Sequence, residues 1–198
     1  MGLFLKWNDI VLRDRIEADL LDHRRWFTNE RAWMDWDAPW EEDFTPQETE
    51  AVLEKMAKRL SLPPPEIRPA LEVCNTEGVH VGVVNSYFID DNPLKLAAGI
   101  GIRETAYQGK GYGRQALPLW LAYLFAASGR DILYTETWSG NLRMVRLAES
   151  CGFMVAERKV SHIQVRGSSY DGLAFSLTRP RLEVIYPGLV DLCKGLLL

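Results

Sequence analysis

The segment LAAGIGIRETAYQGKGYGRQAL, Leu96 to Leu117, decides the reading of this chain. An apolar run ends in a loop with glycines at 109, 111 and 113, and the loop passes directly into a helical pattern. Several backbone N–H groups and a helix N-terminus therefore converge on one point, a cradle for an anion. Glycine suits such a cradle because a side chain would block close approach of the backbone to a phosphate. Lys110, Arg103 and Arg114 stand where they can add positive charge from its rim. Two other phosphate loops fail on spacing. A Walker loop ending at Gly109-Lys110 needs glycine where Glu104 stands and Ser or Thr where Gly111 stands. A dinucleotide fingerprint needs G-x-G-x-x-G, whereas Gly109, Gly111 and Gly113 give G-x-G-x-G, and Asp131 precedes its strand instead of ending it.

Working outward, apolar runs bounded by turn residues predict strands at Ala70 to Cys74, Val79 to Ile89 and Leu94 to Ile102, an antiparallel meander that leads into the loop. Asp9 to Asp14 reads as a first strand. Ile16 to Phe27 follows as a helix, with Ile16, Leu20, Leu21, Arg24 (by its stem) and Phe27 near one face. Thr45-Pro46-Gln47-Glu48 forms a capping box with proline at the first helical position, and Val52, Leu53, Met56, Ala57 and Leu60 share a face before Pro63-Pro64-Pro65 ends the helix. After the loop come a helix from Gly111 to Ser128, a strand from Ile132 to Trp138, a helix from Asn141 to Cys151, and a hairpin of Met154 to Arg166 with Tyr170 to Thr178. Pro118 within the longest helix costs a hydrogen bond. Gly99 and Gly101 weaken an apolar strand unless a bulge or a close approach requires them.

The loop Gln108-Gly109-Lys110-Gly111-Tyr112-Gly113 resembles the acetyl-CoA pyrophosphate loop, Q/R-x-x-G-x-G/A, of the GNAT acetyltransferase superfamily. The run Asn141 to Phe153 is similar to that superfamily's following helix, N-x-x-A/S-x-x-x-x-E-K-x-G-F, at matching spacing. Leu12-Arg13, Trp36-Asp37-Ala38-Pro39-Trp40 and the residues Gly167, Tyr170 and Asp171 resemble the branch that contains ribosomal-protein N-terminal acetyltransferases. The resemblance spans about residues 9 to 179. It implies an α/β (α+β) GNAT fold: a mixed, mostly antiparallel central sheet of about seven strands flanked by helices, with the fourth and fifth strands splayed apart. It implies one domain over 1–180 and a C-terminal extension over 181–198. It also implies that Ile100 and Ile102 offer N–H and C=O groups to the pantetheine arm, one of them as an oxyanion donor, and that Asn141 and Arg143 join Gln108 to Gly113 in holding acetyl-CoA.

Acyl transfer from a thioester to an amine needs an unprotonated nucleophile and stabilisation of a tetrahedral oxyanion, with a proton for the leaving thiolate as a further aid. If the family geometry holds, Glu104 or Glu136 is the base, with water relays as the other route. The tyrosine often found seven residues after the helix-starting Asn is here Ala148, and the serine often found at plus three is Met144. A non-catalytic acyl-CoA-binding module of the same fold is the alternative. For Asn141 a helix N-cap and a cofactor contact are compatible roles.

Composition works by exclusion. The 198 residues carry a formal net charge of −4, 47% hydrophobic residues and three cysteines. A chain of this length buries a sizeable core without staples, and its cysteines lack any Cys-x-x-Cys pairing, which argues against a disulfide framework and for a cytoplasmic location. The N-terminal residues show no targeting signal, and the apolar run Ala116 to Ala127 falls short of the ~20 residues that span a bilayer. No membrane partner is expected. Residues 30–50 hold eight carboxylates against Arg31 alone, a net −7 that leaves +3 for the rest, which argues against a nucleic-acid surface. That acidic, tryptophan-rich segment makes Trp36, Asp37 and Trp40 candidates for binding a cationic amine or a protein N-terminus, although a solvated acidic face and tryptophans packed in a core are the plain alternatives. His23, His80 and His162 have no metal-like spacing, and no metal is expected. The assembly is left open, with a homodimer as its expected form.

Overall fold

The computed structural model describes residues 2–197. Its centre is an eight-stranded sheet in the order β1-β2-β3-β4-β5-β6-β8-β7. The strands are β1 (Phe4–Trp7), β2 (Ile10–Arg13), β3 (Ala70–Asn75), β4 (His80–Phe88), β5 (Leu96–Ile102), β6 (Ile132–Trp138), β7 (Met154–Val165) and β8 (Ser168–Thr178). Every neighbouring pair is antiparallel except β5 and β6. The sheet exceeds the seven expected strands by β1. Asn8, at φ 51°, and Asp9 turn the chain between paired Trp7 and Ile10, a two-residue hairpin that asparagine permits by tolerating positive φ.

The parallel pair β5–β6 touches in register only at Ala97 and Tyr134. Beyond that point the strands diverge, which is the expected splay. The Thr135 hydroxyl reaches across it and donates to Ala98 O at 2.8 Å.

One face of the sheet is covered by α4 (Tyr112–Ser128), whose residues from Ala116 to Phe125 are all buried. A helix apolar all round belongs in a core, and Pro118 is accommodated inside it. Gly111, at φ 87°, leads into this helix, and Gly129, at φ 64°, ends it; both need the left-handed backbone. The segment expected as an extension packs into the same core. α6 (Arg179–Ile185) and α7 (Leu189–Leu197) bury Leu182, Leu189, Val190 and Cys193 with α4.

The other face carries α1 (Asp19–Thr28), the short α2 (Met34–Asp37) and α3 (Pro46–Leu60), the last opened by the complete Thr45–Glu48 capping box. The inward face of α1 differs from the expected one. Ile16 precedes the helix and is exposed, Leu21 is 72% exposed, and the buried positions are Asp19, His23, Trp26 and Phe27. Polar pairing explains the rotation. Asp19 takes a bidentate fork from Arg13 at 2.7 Å, and His23 reaches Glu72 on β3, whose neighbours Leu71 and Val73 face the α4 core.

Candidate active site

Where β5 and β6 part, a cleft of about 940 Å³ opens between the α1–α3 layer and the loop before α4. Its floor follows from strand alternation. Asn85 and Tyr87 on β4, Gly99 and Gly101 on β5, and Glu136 on β6 line it, while Val84, Ala98 and Leu133 turn into the core. A Cβ at Gly99 would displace the side-chain amide of Asn85, so glycine leaves that amide its place on the cleft floor.

The backbone of β5 divides its hydrogen-bonding groups between β4 and the gap. Arg103 N donates to Val81 O on β4 at 3.0 Å, whereas Ala98 O receives its hydroxyl from β6. Alternation along the strand therefore turns the N–H and C=O of Ile100 and Ile102 toward the gap. The carbonyl of Ile102 is already taken by the Gln108 amide at 3.0 Å, so this group differs from the expected open acceptor.

Gly109 and Gly111 stand at φ 72° and 87°, and no heavy atom lies within 4 Å of a Cβ placed on either. The space in front of the loop is open. Gln108, Gly109, Gly111 and Gly113 border the cleft with Arg114. Arg143 donates to Gln108 Oε1 at 3.0 Å and lies 4.0 Å above the Trp36 ring. Two expected residues stand apart from the cleft wall: Lys110 lies over the Tyr107 ring, and Tyr112 packs edge-on against Tyr107.

Asn141 combines two roles. Its Oδ1 accepts from Met144 N at 3.0 Å as the cap of α5 (Leu142–Ser150), and its Nδ2 donates to Trp36 O at 2.7 Å. Trp138 Nε1 donates to the same carbonyl at 2.9 Å, so α2 is pinned across the cleft mouth. Trp36 and Asp37 line the cleft, and Trp40 does not; it meets Trp138 edge to face and is 44% exposed.

The two expected bases separate. Glu104 lies outside the cleft wall and is held by Arg25 at 2.6 Å, and that arginine also binds Asp22 and Glu30. Glu136 lines the cleft and stays exposed to solvent; partial desolvation by the cleft wall raises its pKa above the ordinary value, and Asp90 adds repulsion. Tyr87 faces both Glu136 and Asp37; burial and those carboxylates push its pKa up. Asp37 is exposed as a residue, but the protein packed around its carboxyl desolvates it enough to raise its pKa, against the pull of Arg103. Ala148 is fully buried and Met144 lines the cleft, so neither of those departures restores a proton donor. Tyr87 and Asn85 went unnamed in the sequence reading, although the alternation Val83-Asn85-Tyr87 marks a polar strand face.

Arg103 departs most from expectation. Instead of rimming the loop, it folds back over Gly101 toward α1 and lies 4.5 Å from the Trp33 ring and 5.2 Å from Phe27. Its Nη1 donates to His23 Nδ1 at 3.2 Å. His23 and His80, which lack metal-like spacing in the sequence, are both buried and hydrogen-bonded within the fold. Glu72 gathers His23 and His80, at 3.2 Å and 2.8 Å, and Arg15 at 2.5 Å. Burial alone would raise the Glu72 carboxyl, but these donors outweigh it and hold its pKa well below the usual range. The two imidazoles and the carboxylate lie close enough to share a metal ion, yet Arg15 already occupies Glu72 Oε1 and Arg103 faces His23 from the far side.

Half of the acidic segment is engaged. Glu30, Asp35, Asp43 and Glu50 pair with Arg25, Arg166, Arg31 and Arg24. Its negative field is correspondingly weaker than the residue count suggests.

An antiparallel sheet broken by one splayed parallel pair, beside a positive-φ glycine loop at a helix N-terminus, defines an acyl-CoA-type transferase fold. The family model for the acetyltransferase (GNAT) domain matches residues 9–154, and the chain belongs to that family. A curated relative, the SPbeta prophage-derived uncharacterized N-acetyltransferase YokL of Bacillus subtilis (strain 168), is 31% identical over 104 residues. That match covers 52% of this chain and 58% of the relative, so the chain spans little more than half the length of the curated protein it matches. Among solved structures, a GNAT-family acetyltransferase from Bacillus anthracis aligns with TM-score 0.69 at 17% identity, over 89% of this chain and 98% of that one. A ribosomal-protein-S5-alanine acetyltransferase from Vibrio fischeri aligns with TM-score 0.69 at 18% identity, over 89% and 96%. Spermidine N-acetyltransferase from Vibrio cholerae, solved with CoA and spermine, aligns with TM-score 0.68 at 21% identity, over 88% and 98%. At these identities the structural likeness concerns the fold.

Proposed function

We propose that this protein transfers an acetyl group from acetyl-CoA to a primary amine by direct attack. The observation that carries this reading is that the β5–β6 gap, the glycine loop and Glu136 all open into one cleft. The N–H groups of Gln108 to Gly113 and the N-terminus of α4 suit a pyrophosphate, with Arg114 and Arg143 beside them. The free edge of β5 at Ile100 suits an amide-bearing arm, and a backbone N–H there suits the oxyanion of the tetrahedral intermediate. Glu136 takes a proton from the attacking amine, directly or through one water, because a protonated amine has no lone pair to donate. The C–N bond forms, the nitrogen gives up its second proton to water, the C–S bond breaks, and CoA departs as a thiolate that is protonated from water.

The same reading treats residues 2–197 as one folded unit that functions in a reducing cytoplasm, where Cys74, Cys151 and Cys193 remain free and buried. Thiol release from acetyl-CoA over a panel of primary amines tests it. We expect release that depends on the amine, and loss of acetyl-CoA binding in Gly111→Glu by calorimetry. Tight binding without release under any amine would leave a non-catalytic module, and wild-type affinity in Gly111→Glu would remove the loop assignment.

A further inference from the structure

The acceptor end of the cleft holds a cation that lacks a counter-ion. Among the described residues no carboxylate oxygen lies within 4 Å of the Arg103 guanidinium, and its buried Nε has no hydrogen-bond partner. The charged groups that face it are Glu72, Asp37 and Arg15. Glu72 is committed to Arg15 and the two histidines, and Asp37 stays beyond ion-pair distance. Burial pushes the arginine pKa down to about 10, so it remains charged near neutral pH.

Its position is fixed rather than adaptable. The guanidinium lies over Trp33, and Nη1 is held by His23 Nδ1, while His23 Nε2 is fixed in turn by Glu72. Burial keeps His23 below its ordinary pKa, which suits the neutral form that accepts from Arg103. A preorganised guanidinium with unfilled donors matches the planar fork of a carboxylate.

The spacing to the reacting centre is short. Ala97 and Tyr134 are paired, and Gly99 and Glu136 each lie two residues further along their diverging strands. A Cβ placed on Gly101 would be 3.7 Å from Cγ and Nε of Arg103, which puts Nε beside Gly101, two strand residues or roughly 7 Å along β5 from Gly99. Tyr87, Glu136 and Asp37 surround the amine end, and the Asn85 amide lies between.

We propose that the acceptor is a short amino acid whose carboxylate docks on Arg103 while its amine is presented at Glu136. This rests on reading the cleft as an acetyl-transfer site, and it makes the acceptor zwitterionic instead of purely cationic.

The test compares acids with their neutral carboxamides, leucine with leucinamide and 4-aminobutyrate with 4-aminobutyramide, as ligands by calorimetry and as acceptors by thiol release. Binding is measured with and without CoA, so that this arm needs no turnover. At least one acid is expected to bind about tenfold or more tightly than its amide, the scale of a charge-assisted hydrogen bond. Arg103→Met is expected to bring that ratio near one, and Arg103→Lys to retain part of it, while acetyl-CoA affinity stays at its wild-type value and thermal melting reports folding. Equal binding of acids and amides by the wild type, no binding of either, or an undiminished preference in a folded Arg103→Met overturns the proposal. So does loss of acetyl-CoA affinity in that variant, which would return Arg103 to the cofactor. Failure of acetyl-CoA to bind the wild type would instead strike the acetyl-transfer reading.

Discussion

At the scale of single residues, environment divides groups that look alike in the sequence. Glu104 and Glu136 both end up near the splayed strands, but an ion pair to Arg25 takes the first out of use, while the second stays open to the cleft, where partial desolvation raises its pKa and makes it a better base. Glu136→Gln is expected to lower kcat by about 10²-fold with acetyl-CoA affinity unchanged, whereas Glu104→Gln should cost up to about 1 kcal/mol of stability and little rate. The direction of the shift sets the pH profile. A raised carboxyl pKa places the acid limb of kcat/KM above the usual glutamate value near 4.3, and the limb should vanish in Glu136→Gln. Equal rates for the two variants across pH would assign the proton to solvent. Glu72 works in the opposite sense, because its pKa is depressed in the fold. Its contribution is full above the unfolded value of about 4.3 and is lost as pH falls toward the folded one. Removing the carboxylate leaves His80, His23 and Arg15 without their anion, so Glu72→Gln should lose about 3–5 kcal/mol at pH 6. Denaturant titrations from pH 6 to 3 should also show a shallower slope than in the wild type. An unchanged slope would mean that the network does not carry the acid dependence.

At the scale of elements, periodicity and turn chemistry made the loop, α4, β6 and α5 readable, because each has a strong local cause. The glycines of the loop need positive φ, Asn141 caps α5, and α4 is apolar on every side. The face of α1 was not readable in the same way. Its burial is decided by His23 meeting Glu72 and Asp19 meeting Arg13, pairings between positions far apart or polar, which a hydrophobic pattern does not register. Arg103 was misplaced for the same reason: its neighbours Trp33 and His23 lie some 70 to 80 residues earlier in the chain. The pin between α2 and α5 is likewise a tertiary fact that rests on one local residue. Asn141→Ala removes both the bond from Met144 N and the bond to Trp36 O, and should cost about 1–2 kcal/mol. It should also raise KM for the amine, since Trp36 and Asp37 hang from that carbonyl. A variant that loses stability but keeps the amine KM would limit Asn141 to its cap.

Across the whole molecule, one helix organises what the sheet splits. α4 presents its N-terminus to the cleft and its flanks to both halves of the sheet, so the gap between β5 and β6 can stay open without unfolding the core. The far side of α4 is closed by α6 and α7, which lie beyond the stretch that resembles the family. Their apolar residues are plentiful, but the segment lies past the motifs that carry the resemblance, which is why it read as an appendage. Yet Leu182, Leu189, Val190 and Cys193 are at most 4% exposed. Each such side chain contributes on the order of 1.5–3 kcal/mol by leaving water, so the pair of helices is integral to stability although remote from the chemistry. Leu182→Ala should therefore cost about 2–5 kcal/mol by transfer and cavity terms together. Val190→Asp should cost more, because it buries an unpaired carboxylate against α4. Equilibrium denaturation measures both losses, and calorimetry on the folded fraction of Leu182→Ala should return the wild-type affinity for acetyl-CoA. If Leu182→Ala instead keeps its stability, or weakens acetyl-CoA binding while the fold holds, then α6 is coupled to the glycine loop through α4 and is more than a cover for the core.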